Sequence, residues 1–347
     1  MVFKKNKILS QGFVSELRQD FISGDWVLVA SGRVKRPQDF FSKKKKIPET
    51  VSACPFESAR INGEKPLLWY PHPDAADKDS PKNWFVQVVA NKYPALALRK
   101  ERSCAMPYEY GIYKAMSGVG YHEVIVTRPH DRSLGKMTAA EAALVVRSYR
   151  DRYAALDKDP CIAYILVFHN HGAGAGASIM HPHSQLIALP IVPPDVQRSF
   201  DGSHSFFKRT GKCIHCKMIE WELNAGERVV YENEDFVALA PYASRVSFEL
   251  RIYPKYHDPH FNYISEERIT TCAEILSAVL RKLYTALQNP DYNFFIHTSP
   301  ANIHNGAHYH WHIEILPKTS IPAGLELGTG VDVVVVAPEE VPKILIV

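Results

Sequence analysis

The sequence has few cysteines, no long hydrophobic run and little excess charge of either sign. Six cysteines among 347 residues are too few for a disulfide-stapled scaffold, which predicts a reducing compartment. Lys4, Lys5 and Lys7 lie near the start, but no apolar stretch follows that is long enough for a signal-peptide core or a membrane span. We therefore expect a cytoplasmic protein that has no membrane partner.

The charge balance differs from that of a typical nucleic-acid-binding protein. The formal net charge is only +4, and 46% of the residues are hydrophobic, as in an ordinary globular protein. The basic run Lys43–Lys46 can be a phosphate patch, but so short a run beside Pro48 is more often a solvated loop. Because no basic stripe is interleaved with aromatic residues, we expect no nucleic-acid partner.

The second half of the chain repeats the order of the first. Tyr164–His169 is apolar and strand-like, continues into a glycine-rich loop, and is followed by the histidine-containing run His181–Pro190. Tyr292–His297 and His308–Pro317 follow in the same order, and both histidine runs end in Leu-Pro. Such self-similarity indicates two copies of one supersecondary unit.

Each half also has a helix and a strand upstream of its histidine run. Apolar residues recur at helical spacing in Thr138–Leu156 and Ser265–Leu287. His122–Thr127 and Ser247–Tyr253 are rich in β-branched and aromatic residues, which favour strands. Together these elements predict an α+β fold with antiparallel sheets and packed helices.

The length of the chain allows two domains, each with its own core. We expect the boundary within residues 191–211, because Pro193, Pro194 and many small polar residues indicate a linker. The predicted domains are residues 1–195, which contain the first histidine run, and residues 196–347, which contain the second.

The first histidine run combines residue types that suit phosphoryl transfer. Residues two apart in a strand share a face, so His181, His183 and Gln185 are expected to point together. The preceding loop Asn170–Ser178 has three glycines, which let backbone N–H groups approach a phosphate. A neutral imidazole can attack phosphorus, and an amide can stabilise the charge that builds on the oxygens. Paired histidines on a strand can also be structural, but the adjoining loop and Gln185 favour a nucleophile.

The run Asn170–Gln185 resembles the active-site signature of the galactose-1-phosphate uridylyltransferase family, a branch of the histidine-triad superfamily. Further segments resemble blocks of that family in the family's order, namely Trp26–Pro37, Asn91–Leu96, Tyr121–Val126 and Gly324–Gly330. The resemblance implies two tandem histidine-triad (HIT-like) domains and a homodimer.

The resemblance also implies a ping-pong reaction on a nucleotide sugar. His183 would attack the α-phosphorus and release sugar 1-phosphate, and a phosphorylated acceptor would then take the nucleotidyl group. The implied enzyme is a UDP-glucose:hexose-1-phosphate uridylyltransferase, and the alternative is an ADP-glucose phosphorylase that uses phosphate as acceptor. The positions that match substrate-binding residues of the family are Arg33, Arg36, Asn91, Asn170, Gly176, Ser178 and Gln185.

The C-terminal block differs from galactose-transferring relatives, which commonly have a Tyr-Glu pair near this point. This chain has Gly328-Thr329-Gly330, and a glycine-threonine turn suits a small phosphate better than a sugar ring. The difference favours the phosphorylase alternative and adds Gly328 and Thr329 to the expected substrate site. No residue decides between uracil and adenine. The two arginines, Arg33 and Arg36, can also be surface charges beside Pro37.

A zinc site is expected in the second half. Cys213 and Cys216 have the spacing of a structural zinc knuckle, and His257 and His310 can complete a tetrahedral set. His215 and His260 are rival ligands, and the two cysteines can instead be free thiols in a loop.

The family resemblance implies a further metal site in the first half, where one expected cysteine is replaced by a glutamate. The set is Cys54, Glu57, His122 and His181, in which the harder oxygen ligand would lower zinc affinity. The metal would be structural, and without it His122 and His181 could still position His183 by hydrogen bonding.

Two other classes of function stay open at this point. A nucleotide hydrolase would use water in place of the acceptor. A non-catalytic zinc-binding interaction protein would keep the fold, and the replaced cysteine speaks for it. The nucleophile beside an anion-binding loop speaks against it, because a scaffold needs neither.

Overall fold

The computed structural model describes residues 15–31, 51, 54–57, 65–98, 103–303 and 306–346. The strands are β1 (Ser15–Gln19), β2 (Trp26–Ala30), β3 (Leu68–Pro71), β4 (Trp84–Ala90), β5 (Tyr108–Tyr110), β6 (Tyr113–Ala115), β7 (Tyr121–Thr127), β8 (Tyr164–His171), β9 (His183–Leu189), β10 (Val229–Glu232), β11 (Phe236–Leu239), β12 (Leu250–Pro254), β13 (Tyr292–His297), β14 (His312–Pro317) and β15 (Asp332–Val334). The helices are α1 (Ala139–Leu156), α2 (Pro194–Thr210), α3 (Ile214–Ala225), α4 (Glu266–Ala286), α5 (Gly324–Thr329) and α6 (Val341–Ile344).

Ten of the strands described by the structure form one sheet that runs through both halves, in the order β10-β11-β12-β14-β13-β8-β9-β7-β4-β3. Each half contributes five strands, in mirrored order around the central antiparallel pair β8–β13, where Phe294 lies opposite His169. The α+β class with antiparallel pairing is therefore confirmed. The two sheets that we expected are joined into one continuous sheet. The division into two domains at residue 195 stays a prediction.

Both predicted helices of the repeat are confirmed, and both cover the same face of the sheet. α1 begins with a capping box in which the Thr138 hydroxyl accepts from the Glu141 N–H, and Ser265 caps α4 through the Arg268 N–H. The two helices pack on each other and on the strands around a shared core that includes Tyr149 and Phe294. The opposite face of the sheet carries His183, Gln185 and the residues paired with them.

The expected linker at residues 191–211 is instead mostly helix α2, so this expectation was wrong. Pro194 lies in the first turn, where its fixed φ and missing N–H are tolerated, and Gly211 ends the helix with a φ of 68°. Val196, Phe200 and Ser203 recur at helical spacing and are buried. The small polar residues lie on the remaining faces, which explains why the segment resembled a linker.

The C-terminal segment returns to the N-terminal hairpin. β15 pairs in parallel with β2, and Arg18 of β1 donates to the Glu339 carboxylate at 2.9 Å. Cys104 and Cys161 form a disulfide, in contrast to the reduced thiols that the cysteine count led us to expect. Among the described helices, none combines the length and apolar character needed to cross a membrane.

Candidate active site

The proton on the His183 ring is placed by a backbone carbonyl. His183 is the first residue of β9, and its Nδ1 lies 2.9 Å from the His181 carbonyl oxygen. Because a carbonyl can only accept, Nδ1 must carry the hydrogen, and Nε2 keeps its lone pair. The ring is 8% exposed and lies 5.0 Å from the Phe56 ring, measured between centroids. The hydrogen bond thus fixes the orientation of the ring, and in the neutral imidazole Nε2 is the nitrogen that can act as a nucleophile.

Ser184, the next residue of β9, points to the helix-covered face of the sheet and forms hydrogen bonds there. The Ser184 hydroxyl lies 2.6 Å from the Tyr149 hydroxyl and 3.0 Å from His169 Nδ1. Burial lowers the pKa of His169 well below its usual value, so this ring is neutral at pH 7. The chain Tyr149–Ser184–His169 thereby anchors the strand directly beneath His183.

Gln185 and Asn91, both expected at the substrate site, meet at His122. His122 Nε2 lies 2.8 Å from Gln185 Oε1 and 3.2 Å from Asn91 Nδ2. The Ala95 N–H donates to His122 Nδ1 at 3.1 Å. Gln185 lies on the same side of β9 as His183, so the cluster adjoins the nucleophile.

The glycine-rich loop is held by the second half of the chain. Asn293 Nδ2 donates to Asn170 Oδ1 at 2.7 Å and to the Ala175 carbonyl at 2.8 Å, and the Gly174 N–H donates to Asp291. Gly172 has a φ of 82°, and a Cβ there would collide with the Asp291 carboxylate. Nothing in the sequence indicated a role for Asn293 or Asp291 beyond their place at the start of the repeated strand.

Two further expected loop residues are described in the structure. Gly176 has a φ of 85°, in the left-handed region that favours glycine, and a Cβ there would meet open space. Ser178 lies between this glycine and the histidine run and is exposed. The loop thus presents its backbone on an open side, as an anion-binding segment requires.

A first group of metal-ligating side chains lies beside His183. Its members are Cys54, Glu57, His130 and His181, whose ligand atoms all lie within 4.8 Å of one another. His181 Nε2 donates to the Thr127 carbonyl at 2.6 Å, so Nδ1 has the lone pair that faces Cys54 and Glu57. Burial lowers the pKa of His181, which favours the neutral form that a metal ligand needs.

The expected ligand His122 is replaced in this group by His130. In the β7–β9 register, His122 lies opposite Ile187, whereas Val126 lies opposite His183. His122 is therefore four residues along the strand from the end that approaches His181. His130 follows the end of β7 and lies 2.6 Å from Glu57 through Nδ1. The error arose because spacing along the chain does not show which end of a strand meets the histidine run.

The second group contains the four expected ligands Cys213, Cys216, His257 and His310, within 4.8 Å of one another. The Cys216 sulfur lies 3.4 Å from His257 Nδ1 and 3.5 Å from His310 Nδ1. His310 Nε2 donates to the Pro254 carbonyl at 2.9 Å, as His181 does to Thr127. Hydrogen bonding from Cys216 and the two histidines lowers the pKa of Cys213, which favours the thiolate. The rivals His215 and His260 lie outside the group.

The second half repeats the nucleophile geometry but not its chemistry. His312 Nδ1 donates to the His310 carbonyl at 3.1 Å, the arrangement found at His183. Glu314 stands where the first half has Gln185, and it pairs with the buried Arg251 and the half-buried Arg245. The second half therefore lacks the amide that the first half places on the same face of the strand as its histidine. His297, His312 and Glu314 also lie close enough to hold an ion, a group that the sequence did not suggest.

The remaining expected substrate residues lie elsewhere. Arg33 and Arg36 are outside the described residues. Gly328 and Thr329 form the last turn of α5 rather than a loop turn, and Gly330 ends the helix with a φ of 72°. The Thr329 hydroxyl donates to the Leu325 carbonyl at 2.6 Å and accepts from the Val331 N–H. Both hydrogen bonds of the Thr329 hydroxyl are therefore made within the end of the helix.

Two family descriptions match the chain. "Galactose-1-phosphate uridyl transferase, N-terminal domain" matches residues 6–193, and "HIT domain" matches residues 222–320. The chain is similar to ADP-glucose phosphorylase of Arabidopsis thaliana, with 35% identity over 95% of this chain and 92% of that protein. It is also similar to galactose-1-phosphate uridylyltransferase of Thermotoga maritima, with 28% identity over 94% of this chain and 96% of that protein.

The chain is also similar to solved structures of an ADP-glucose phosphorylase and a uridylyltransferase. The crystal structure of the Arabidopsis thaliana ADP-glucose phosphorylase with bound ADP-glucose superposes with a TM-score of 0.79 at 32% identity, covering 96% of this chain and 98% of that one. A uridylyltransferase structure superposes with a TM-score of 0.71 at 25% identity, covering 96% and 97%. The similarity therefore extends over nearly the whole of each chain.

Proposed function

Because the chain belongs to the galactose-1-phosphate uridyl transferase family, we propose that it transfers a nucleotidyl group from ADP-glucose to inorganic phosphate through a covalent intermediate on His183. The observation that carries the proposal is the hydrogen bond from His183 Nδ1 to the His181 carbonyl, which leaves Nε2 as a nucleophile. The proposal makes the chain an enzyme of nucleotide-sugar metabolism, in line with the family's nucleotidyltransferase activity.

In the first half-reaction the Nε2 lone pair attacks the α-phosphorus of the nucleotide sugar. A P–N bond forms, the bond from the α-phosphorus to the bridging oxygen breaks, and glucose 1-phosphate leaves with that electron pair. In the second half-reaction a phosphate oxygen attacks the same phosphorus and returns the electron pair to Nε2, which forms ADP. The imidazole needs no base, because its attacking nitrogen carries no proton.

The residues around His183 are suited to the charge of the reacting group. The Gln185 amide lies beside the nucleophile and can donate to a non-bridging oxygen as charge builds there. Asn170, Gly176 and Ser178 line the loop that would accept the phosphates, and Asn91 extends the site beyond His122. Donors held in place before the reaction need no reorganisation in the transition state.

We propose that both four-residue groups hold zinc in a structural role. Two thiols and two imidazoles in the second group fit tetrahedral zinc, with His310 oriented by a carbonyl bond. The first group offers one sulfur, one carboxylate and two imidazoles, which zinc also accepts, with a harder ligand than a second thiolate. A bound zinc would fix the His181 backbone, whose carbonyl orients His183.

The choice of ADP-glucose and phosphate follows the 35% identical relative and reverses the order of the two enzymes expected from the sequence. The uridylyltransferase acting on a hexose 1-phosphate is the second candidate, supported by the 28% identical relative. A homodimer and a cytoplasmic location are further proposals that rest on the family resemblance.

The test is a product assay with both substrate pairs. We expect ADP-glucose and phosphate to give ADP and glucose 1-phosphate, and UDP-glucose with galactose 1-phosphate to react more slowly. Labelled glucose 1-phosphate should exchange into ADP-glucose without added phosphate, which separates a transferase from a hydrolase. The His183→Ala variant is the control and should be inactive. Failure of the metal-replete wild-type protein to react with either pair would overturn the proposal in favour of a non-catalytic role.

A further inference from the structure

We propose that His122 and Asn293 are positioning residues that fix the orientation of the amides of Gln185 and Asn170, so that both amides present N–H groups to the substrate's phosphates. The inference rests on the proposed function and names residues that act on the substrate only through these two amides. His122 lies on β7 of the first half, and Asn293 lies on β13 of the second half.

An amide side chain can help or oppose phosphoryl transfer according to which end faces the phosphate. The NH2 end donates two hydrogen bonds, whereas the oxygen end repels the negatively charged oxygens. The two ends have nearly the same shape, so packing alone does not choose between them. A site that relies on amides therefore needs partners that bind the oxygen end of each one.

At Gln185 the choice is made by His122. The Ala95 backbone N–H donates to His122 Nδ1 at 3.1 Å, so this nitrogen is an acceptor and the ring proton resides on Nε2. That N–H then donates to Gln185 Oε1 at 2.8 Å. The reverse orientation of Gln185 would set a donor against a donor. The Gln185 NH2 group is consequently turned away from His122.

At Asn170 the choice is made by Asn293. The Ala175 carbonyl, which can only accept, lies 2.8 Å from Asn293 Nδ2, and this contact fixes which end of Asn293 is the nitrogen. The second hydrogen of the same nitrogen is donated to Asn170 Oδ1 at 2.7 Å. Asn170 lies opposite Asn293 in the β8–β13 pair, so strand register holds the two side chains together.

The oxygen end of the Asn91 amide is also bound by a donor, in this case a backbone N–H. Its Oδ1 accepts from the Tyr93 N–H at 2.8 Å, and its Nδ2 lies 3.2 Å from His122 Nε2. Because that ring nitrogen carries the proton, it takes no hydrogen from Asn91. All three amides expected at the substrate site therefore have their oxygen bound by a protein donor.

The experiment measures the single-turnover rate of nucleotidyl-protein formation from ADP-glucose, together with donor affinity. His122→Phe keeps a ring of similar volume and removes the donor, and we expect a fall in the rate of about ten- to a hundredfold with a smaller change in affinity. In a Gln185→Ala background the same substitution should change the rate less than about twofold, because non-additivity marks residues that act through one another. His122→Gln, which restores an N–H donor, should regain part of the rate.

Asn293→Ala tests the second amide, and Asn302→Ala is its matched control. Asn302 also donates to a backbone carbonyl across the chain, that of Ile162 at 2.9 Å, but bonds no amide of the site. We expect the rate to fall in Asn293→Ala and to stay within about twofold of wild type in Asn302→Ala.

Full additivity of His122→Phe and Gln185→Ala, or a wild-type rate in His122→Phe, would overturn the inference. Equal losses in Asn293→Ala and Asn302→Ala would overturn the second half of it. If the wild-type protein forms no nucleotidyl adduct with ADP-glucose or UDP-glucose, the proposed function fails first, so the two failures are distinguishable.

Discussion

At the residue scale, two backbone carbonyls give the histidines of the His-Pro-His sequence different roles. The Thr127 carbonyl binds His181 Nε2 and turns Nδ1 towards the metal-ligating group, whereas the His181 carbonyl binds His183 Nδ1, which makes Nε2 the nitrogen that we propose attacks the substrate. Which ring nitrogen bears the proton is thus decided by the main chain. The same arrangement recurs at His310 and His312.

The buried His169 predicts a loss of stability in mild acid. Burial holds its folded-state pKa well below about 6.5, so as pH falls through that value the unfolded chain binds the proton first. Between pH 7.5 and pH 5.5 this costs about 1.4 kcal/mol of unfolding free energy. Urea titrations at both pH values should show that His169→Gln loses less stability than wild type by about that amount. Equal losses in the two proteins would contradict the role given to His169.

The second metal group predicts a specific change in metal content. Cys216→Ser should lose about one zinc per chain after dialysis, because the soft thiolate ligands supply much of the affinity. Cys272→Ala is the matched control, since Cys272 is a free, buried cysteine outside both groups, and it should retain the wild-type content. Elemental analysis of the purified proteins measures both. Unchanged zinc in Cys216→Ser would show that the group holds no metal.

Sequence reasoning reached the chemistry of single residues better than their pairing. His183, Gln185 and the second metal group follow from residue type and short spacing, and the structure brings their side chains together as expected. His130 was missed because the β7–β9 register decides which end of β7 meets the histidine run. Asn293 was missed because it reaches the site from 123 residues away in the chain.

At the element scale, local sequence patterns predicted the helices α1 and α4, whereas the strand register determines which side chains meet at the site. α1 begins after Thr138 and α4 after Ser265, in line with the helical periodicity of both segments. α2 was mistaken for a linker because its buried stripe is narrow and its other faces carry small polar residues. Periodicity therefore identifies elements that bury a broad face and fails for those that bury a narrow one.

The capping box of α1 predicts a measurable contribution to stability. Thr138→Ala removes the hydroxyl that accepts from the Glu141 N–H and should cost about 1 kcal/mol of unfolding free energy. Thr285→Ala, at an exposed position of α4, is the matched control and should change stability by less than about 0.5 kcal/mol. Chemical denaturation of the three proteins gives both values. A Thr138→Ala cost no larger than that of the control would show that the capping box is not needed.

At the scale of the whole molecule, the two repeated halves share one sheet built around the β8–β13 pair. The first half supplies the nucleophile, and the second half holds the glycine-rich loop through Asn293 and Asp291. The sequence predicted the repeat but not the joined sheet, because pairing between β8 and β13 depends on edges that only the fold brings together.

A shared core predicts that damage at the junction destabilises both halves. Phe294 of β13 is fully buried, and Phe294→Ala should cost about 3–5 kcal/mol through the cavity it leaves. Hydrogen exchange should show the amides of β9 and β14 losing protection together. Tyr110→Ala in the exposed β5–β6 hairpin is the control and should leave exchange unchanged. Faster exchange in β14 alone would show that the halves unfold independently.

The most direct test of the account is to locate the covalent intermediate. After brief reaction with ADP-glucose labelled in the α-phosphate, without acceptor, the protein should carry a label that is stable to base and labile to acid, on Nε2 of His183. Peptide mapping should place it at this residue, and His183→Ala should carry none. A label on another residue, or an equal label in His183→Ala, would contradict the assignment of His183 as the nucleophile.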